Sequence, residues 1–279
     1  MSRLGPLLAD ASVALGSAAE ARTLLAHAAA VEPSRLALID QVDGAVEDAF
    51  AALVARRLAG EPLQYLTGVA WFRTVRVRVA PGVFIPRPET EVMVGWALEQ
   101  LAELGQHPVV VELCAGSGAI SAAIAAERPG CRQYAVELSE PAHRAAIGNL
   151  AGTGVELRLG DMADAFTELD GQVDLVIDNP PYIPLEMWEH VAAEVRTHEP
   201  EVALFSGPDG LDAMRVVAQV ATRLLRPGGR VCAEHAEVQS ESAVEVFSRA
   251  GGFVRIADHR DLNDRPRFVT ATRAGNLAG

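Results

Sequence analysis

The segment DNPPYIP, Asp178–Pro184, places an amide, two adjacent prolines and an aromatic ring directly after an apolar run. The side-chain oxygen of Asn179 can accept a hydrogen bond, and the proline that follows holds its backbone extended. Pro181 restrains Pro180, whose carbonyl becomes a second acceptor because neither proline has an N–H. Tyr182 can cover a flat group. The segment predicts a rigid clamp with two acceptors and an aromatic wall.

A clamp of this kind suits an amide or an exocyclic amine. Such a nitrogen is a poor nucleophile because its lone pair is delocalised, so catalysis rests on positioning and electrostatics. We predict catalytic roles for Asn179, Pro180 and Tyr182, and substrate-binding roles for these three and Pro181. The alternative is a simple turn at a strand end, since Asn and Pro are common in turns.

A second set of residues follows three other predicted strands. ELCAGSG, Glu112–Gly118, has the glycines of a tight turn into a helix, and about 20 residues later Glu137 could accept hydrogen bonds from a ribose diol. Asp161 and Met162 fall where an adenine would lie. The predicted cofactor-binding residues are Glu112, Cys114, Ala115, Gly116, Ser117, Gly118, Glu137, Asp161, Met162 and Asn179.

Each of these residues also has a structural interpretation. The glycine turn could be a mere connection, Glu137 a solvated charge, Asp161 a helix N-cap and Cys114 a small packed residue. Cys114 stands where a dinucleotide-binding fold would have its first glycine, so no diphosphate cradle is evident. Taken together, the positions favour a nucleoside cofactor such as S-adenosylmethionine.

The elements that must position these residues alternate between apolar strands and helices from Pro108 onward. This rhythm predicts an α/β fold with a doubly wound, mostly parallel, seven-stranded sheet, in which ligands bind beyond the carboxyl ends of the strands. We predict a helical domain over residues 1–60 with a new helix start after VEPS, a β-hairpin linker over 61–85 that includes the alternating segment RTVRVRVA, and the sheet domain over 86–279. The last two strands are expected to form a hairpin at the sheet edge.

Composition limits the partners. The 279 residues are 49% hydrophobic and 22% charged, and the net charge of −13 opposes direct binding to nucleic acid. No apolar run reaches 18 residues and no signal peptide is evident, so we expect a cytoplasmic protein without a membrane partner. The three cysteines and seven histidines lack ligand spacing, and we expect no metal site.

The motifs VELCAGSG, AVEL, GDM and DNPPY resemble those of class I S-adenosylmethionine-dependent methyltransferases that modify planar nitrogens. GEPLQYLTG, FIPRPETE, GPDGLD, RPGGRVCAEH and Glu199–Pro200 make the chain similar to release-factor glutamine methyltransferases from about Arg56 to its end. The resemblance implies a Rossmann-like fold, S-adenosylmethionine as cofactor, and methyl transfer to the glutamine amide of the Gly-Gly-Gln motif in peptide chain release factors. The N-terminal helices would dock this protein substrate.

The same resemblance implies a lid beside the cofactor in FIPRPETE, with Phe84, Arg87 and Glu89, although a proline-rich linker is the alternative. We interpret Glu234 and His235 as structural residues first, with support of the substrate loop as their second possible role. Ala236 stands where the family often has glycine, and the DLNDRPR segment also departs from the family, so neither is given a role. Other hypotheses are a ribosomal-protein glutamine or nucleic-acid adenine as substrate, or a binding module that no longer transfers methyl groups.

Overall fold

The computed structural model describes residues 2–275; residues 1 and 276–279, which belong to the predicted first and last domains, lie outside that range. The helices are α1 (Leu4–Leu15), α2 (Ala18–Ala28), α3 (Gly44–Leu58), α4 (Leu63–Thr67), α5 (Thr90–Ala102), α6 (Ala119–Glu127), α7 (Glu140–Asn149), α8 (Ala193–His198), α9 (Asp212–Leu224) and α10 (Ser240–Ala250). The strands are β1 (Ser2–Arg3), β2 (Gln41–Val42), β3 (Val69–Phe72), β4 (Val75–Arg78), β5 (Val109–Glu112), β6 (Arg132–Glu137), β7 (Glu156–Leu159), β8 (Val173–Asp178), β9 (Leu225–Glu234), β10 (Phe253–Arg260) and β11 (Pro266–Arg273).

The chain divides into two compact units. One extends to Val69 and also contains Ala192–His198, which is α8 with the residue before it; the other contains Ala70–Val191 and continues from Glu199. The predicted boundaries at residues 60 and 85 stay predictions.

The first unit is helical, as the sequence predicts. Side chains of Ser17 and Asp43 cap α2 and α3 by accepting backbone N–H groups, which explains where these helices begin. Apolar residues at helical spacing, among them Leu24, Leu25 and Phe50, form its buried core. The helix start expected after VEPS is a 3₁₀ helix, Pro33–Leu38, rather than an α-helix.

The second unit has a seven-stranded sheet in the order β10-β11-β9-β8-β5-β6-β7, which confirms the predicted fold class. Strands β9, β8, β5, β6 and β7 are parallel to one another. Strand β11 is antiparallel to β9, and β10 is antiparallel to β11. Every residue of β5 is buried, as expected for an apolar strand covered on both faces. The β10–β11 pair is the predicted edge hairpin.

A separate two-stranded sheet, β3-β4, is the hairpin expected from the alternation in RTVRVRVA. Arg73 lies in its turn with φ +50° rather than in the strand. The guanidinium of Arg73 pairs with Glu127 at 2.7 Å, which fastens the turn to the end of α6. Within residues 2–275, no helix is both long and apolar enough to cross a membrane.

Candidate active site at the carboxyl ends of the strands

The two predicted motif sets meet at the same edge of the sheet. β5 and β8 are parallel neighbours, with Glu112 beside Ile177 in register. The glycine turn therefore leaves β5 next to the point where Asn179 leaves β8. In the sheet, β6 and β7 lie on one side of β5, whereas the later strands β8 and β9 lie on the other side of β5. This reversal of strand order is the position at which open α/β sheets bind ligands.

The glycine turn depends on two left-handed backbone positions, Gly116 at φ +55° and Gly118 at φ +79°. No heavy atom lies within 4 Å of the place where a Cβ of Gly116 would stand, so the backbone is open to close approach. A Cβ at Gly118 would come within 3.0 Å of Leu150. The first glycine leaves room for a ligand, and the second lets the helix pack closely.

The carboxylate of Glu137 holds this turn in place. Its two oxygens accept the N–H of Gly116 at 2.7 Å and the N–H of Ser139 at 2.6 Å. The side chain is buried rather than solvated. Each carboxylate oxygen can accept more than one hydrogen bond, so Glu137 keeps capacity for the predicted ribose diol.

Sequence reasoning missed Asn149, the last residue of α7. Its side-chain nitrogen donates to the carbonyls of Ser117 at 2.8 Å and Arg78 at 2.9 Å, and its oxygen accepts the N–H of Arg78 at 2.8 Å. Asn149 therefore ties the glycine turn to β4. Its position in the sequence looks like an ordinary helix end, which gave no signal of this role.

Glu112 bonds to the helix that follows the glycine turn. It is buried, and one of its oxygens accepts both the N–H and the hydroxyl of Ser121 in α6. Burial raises the pKa of Glu112 to about 8. Its contact with the cofactor stays a prediction.

The other predicted adenine-side residues lie close to the turn. Cys114 Sγ is 3.8 Å from the sulfur of Met162. Asp161 is exposed and its side chain accepts the N–H of Ala163 at 2.8 Å, which is the N-cap arrangement weighed above. Burial, with the charge of Asp178 as a smaller cause, raises the pKa of the Cys114 thiol well above its usual range. A raised pKa keeps the thiol protonated, which agrees with the interpretation of Cys114 as a small packed residue. Its contact with the cofactor stays a prediction.

The clamp is held by a buried hydrogen-bond network. The side-chain nitrogen of Asn179 donates to the hydroxyl of Thr90 at 3.1 Å, and that hydroxyl donates to Glu234 at 2.6 Å. The other oxygen of Glu234 accepts the hydroxyl of Tyr182 at 3.2 Å. Burial raises the pKa of Glu234 to about 7, opposed by the hydrogen bond from Thr90 and the charge of Arg267. The pKa of Tyr182 is also raised, mainly by burial.

The chain leaving the clamp is fixed by its backbone. The carbonyl of Tyr182 accepts a hydrogen bond from Nε2 of Gln239 at 2.9 Å. The backbone N–H of Ile183 donates to Leu204, and the carbonyl of Ile183 accepts from the N–H of Ser206. A Cβ at Gly210 would lie 2.2 Å from the Tyr182 carbonyl oxygen. Gly210, the second glycine of GPDGLD, is therefore required because the backbone of this turn passes so close to it.

FIPRPETE is tied down rather than free. Arg87 forms an ion pair with the buried carboxylate of Glu199 and its guanidinium lies 4.8 Å from the ring centroid of Phe84. Glu199 also accepts the N–H of Ile85 at 3.4 Å. The predicted roles of Phe84, Arg87 and Glu89 as a lid stay predictions.

His235 is completely buried, with its ring nitrogens 2.9 Å from the carbonyl of Ala236 and 2.8 Å from Asp258. This arrangement agrees with the structural interpretation of His235. Glu234, by contrast, joins Thr90 to Tyr182 and so acts directly on the clamp.

The DLNDRPR segment, to which no role was assigned from its sequence, is held together by hydrogen bonds among its own residues. The carboxylate of Asp261 accepts the backbone N–H groups of Asn263 at 2.8 Å and Arg265 at 3.1 Å, and pairs with Arg267 at 3.1 Å. The positive charge of Arg267 acts on Glu234 and lowers its pKa. The segment thus places the positive charge of Arg267 close to Glu234, the buried acid of the clamp network.

Several features of this edge fit the predicted cofactor. The open glycine turn accepts a close ligand, Glu137 offers free acceptor capacity, and the buried Asp178 has no hydrogen-bond partner among the described residues. S-Adenosylmethionine combines a ribose diol with a cationic amino-acid part, so acceptors and acids are the groups it requires.

Known proteins resemble this chain over nearly its full length. Residues 7–68 match the family described as PrmC N-terminal domain, and residues 75–197 match the methyltransferase small domain family. The release factor glutamine methyltransferase of Streptomyces coelicolor is 49% identical, with 96% of this chain and 94% of that relative covered. The enzyme of the same name from Mycolicibacterium smegmatis is 43% identical, with coverages of 98% and 99%. A 4-amino-L-phenylalanine/4-methylamino-L-phenylalanine methyltransferase of Streptomyces pristinaespiralis is 39% identical, with coverages of 93% and 89%.

Proposed function

This chain belongs to the release factor glutamine methyltransferase family, and from that premise we propose that it methylates the glutamine of the Gly-Gly-Gln motif in peptide chain release factors. The methyl group comes from S-adenosylmethionine and goes to the side-chain amide nitrogen. The observation that carries the proposal is the fixed orientation of Asn179: its nitrogen is used by Thr90, so its oxygen is the atom left to accept a substrate N–H.

The residues of the clamp act on the substrate amide. Asn179 Oδ1 and the Pro180 carbonyl each accept one N–H of the glutamine amide, which fixes the plane of the group and aims the nitrogen lone pair. Tyr182 covers the flat face, and its hydroxyl is anchored on Glu234. Accepting both N–H groups raises electron density on the nitrogen and favours pyramidalisation, the main demand of the reaction.

S-Adenosylmethionine, when bound, would supply the methyl group of its sulfonium, and the neutral thioether S-adenosylhomocysteine would be the leaving group. The residues proposed to hold it are those of the glycine turn with Glu137, Asp161 and Met162. No strong base is required before transfer, since the methylated amide nitrogen is acidic enough to lose its proton to water.

The release factor is the proposed partner, and the helical first unit is the proposed docking domain. The net charge of −13 supports a protein substrate over nucleic acid. We place the enzyme in the cytoplasm, because release factors act on ribosomes there.

The test is to incubate the purified protein with labelled S-adenosylmethionine and an unmethylated release factor, then locate the methyl group by mass spectrometry. We expect label on the Gly-Gly-Gln glutamine and none on a release factor whose glutamine is replaced by alanine. Parallel reactions contain ribosomal proteins, adenine-containing nucleic acid or 4-amino-L-phenylalanine, the last because of the relative from Streptomyces pristinaespiralis. Transfer to one of these, with the release factor unlabelled, would contradict the proposal.

A further inference from the structure

Asp178, the last residue of β8, is a buried acid without a partner. Its side chain is 0% exposed, and neither carboxyl oxygen has a hydrogen-bond partner within the described residues. Glu112 and Glu137 at the same edge of the sheet are both satisfied, by Ser121 and by the glycine turn. Unsatisfied buried carboxyl groups are rare, because removing one from water without a partner is costly. Asp178 therefore calls for a functional reason.

The charged groups around Asp178 add to this cost. Glu112 on β5 and Glu137 on β6 are acids that interact with its charge, and the thiols of Cys114 and Cys232 come from the turn after β5 and from β9. Burial raises the pKa of Asp178 to about 8, although the thiol and backbone N–H of Cys114 oppose the shift; none of these contacts has the geometry of a hydrogen bond. A cation at this position would remove the penalty, since opposite charges stabilise one another strongly where water is excluded.

We propose that the Asp178 carboxylate is the anionic contact for the cationic part of the cofactor, its ammonium group or the neighbouring sulfonium. The inference deepens the proposed function and rests on it, because it takes the cofactor to be S-adenosylmethionine. Asp178 immediately precedes Asn179 and lies beside Cys114 of the glycine turn, so it stands between the substrate clamp and the cofactor turn.

A proton balance follows from this contact. At pH 7 the carboxyl of Asp178 is mostly neutral in the free protein and becomes ionised against the bound cation, so binding releases a proton to the buffer. S-Adenosylhomocysteine, the demethylated product, keeps the ammonium group but has lost the sulfonium charge. The two ligands therefore separate the two possible sources of the cation.

The experiment is calorimetric titration of the wild type, Asp178→Asn and Asp174→Asn with each ligand, at pH 7 in buffers of different ionisation enthalpy. Asp174→Asn is the matched control, because it removes one carboxylate from the other end of the same strand, where Asp174 bonds to Val109 and Arg226. We expect Asp178→Asn to weaken S-adenosylmethionine binding about tenfold or more and to abolish proton release. The control should retain wild-type affinity and proton release.

Equal weakening of both ligands would assign the contact to the ammonium, and weakening of S-adenosylmethionine alone would assign it to the sulfonium. Affinities of Asp178→Asn within twofold of wild type for both ligands would overturn the inference alone. If that variant fails to fold, Asp178→Ser, a smaller neutral replacement, decides by the same comparison of affinities. A wild type that binds neither ligand would overturn the proposed function as well.

Discussion

The side-chain nitrogen of Asn179 lies 3.1 Å from the hydroxyl oxygen of Thr90 and donates to it. A hydroxyl has one proton to give, and that of Thr90 goes to Glu234 at 2.6 Å, so Thr90 must accept from Asn179. The same carboxylate anchors Tyr182 through its other oxygen. One buried acid thus orients both the acceptor and the aromatic wall of the clamp.

Replacing Asn179 with alanine should reduce kcat for methyl transfer about 100-fold or more, because one acceptor of the clamp is lost. Affinity for S-adenosylmethionine should change much less. Single-turnover kinetics and calorimetry measure the two effects separately. Asn263→Ala makes the same truncation at an exposed loop position and should leave both unchanged. Near-normal turnover by Asn179→Ala would remove the clamp from the mechanism.

Thr90→Val keeps the branched shape of the side chain but removes the hydroxyl. We expect kcat to fall about tenfold with cofactor affinity unchanged, because the amide of Asn179 loses the contact that orients it. Thr90→Ser retains the hydroxyl and should restore most of the rate. An equal loss in the valine and serine variants would mean that packing at Thr90, and not its hydrogen bonds, matters.

The rate should depend on the protonation of Glu234, whose pKa burial raises to about 7. The ionised form accepts from Thr90 and so keeps the oxygen of Asn179 directed to substrate. A protonated Glu234 can donate to Thr90, whose hydroxyl then donates to Asn179 Oδ1 and reverses the amide.

Activity should therefore be half-maximal near pH 7, reach its full value about one pH unit higher, and fall about tenfold per pH unit well below pH 7. A profile of kcat from pH 5.5 to 9 measures this loss of activity at acidic pH. The Glu234→Gln variant should be slower than the wild type and should not show the loss. A wild-type profile that is flat between pH 5.5 and 7 would contradict the switch.

Glu137→Gln should weaken S-adenosylmethionine binding about tenfold. The carboxylate accepts the N–H groups of Gly116 and Ser139, and an amide offers only one accepting atom in its place. Glu140→Gln is the matched control, because Glu140 is an exposed acid on α7 whose ion pair is with Arg144. Calorimetry compares the two variants, and equal affinities would show that Glu137 does not contribute to the cofactor site.

Gly210→Ala should destabilise the protein by clearly more than Gly152→Ala. Both glycines have positive φ, +76° and +80°, for which a side chain costs about 1–2 kcal/mol. Only at Gly210 does the new Cβ meet a backbone atom, the Tyr182 carbonyl oxygen at 2.2 Å. Denaturant unfolding gives the difference between the variants, which isolates the clash. Equal losses of stability would show that the turn relaxes without cost.

The local sequence was sufficient for most of the fold. Apolar runs bounded by turns predicted the strands and their parallel arrangement, because a strand covered on both faces must be apolar throughout. The same local rules found the glycine turn and the rigid DNPPY segment, since glycine permits positive φ values whereas the proline ring fixes its own φ. The 3₁₀ helix after VEPS was the kind of detail that these rules do not resolve.

Tertiary structure decided which partners complete the site. Thr90 and Asn179 are 89 residues apart, and Asn149 meets Arg78 across 71 residues, so no periodicity could join them. Whether Asp178 had a partner was equally invisible, because satisfaction of a buried group depends on every neighbour that packs against it. The sequence by itself determined which backbone turns could form and which chemistry they carried. Only the folded chain decided their orientation and charge, because hydrogen bonds and burial are set by groups brought together from distant segments.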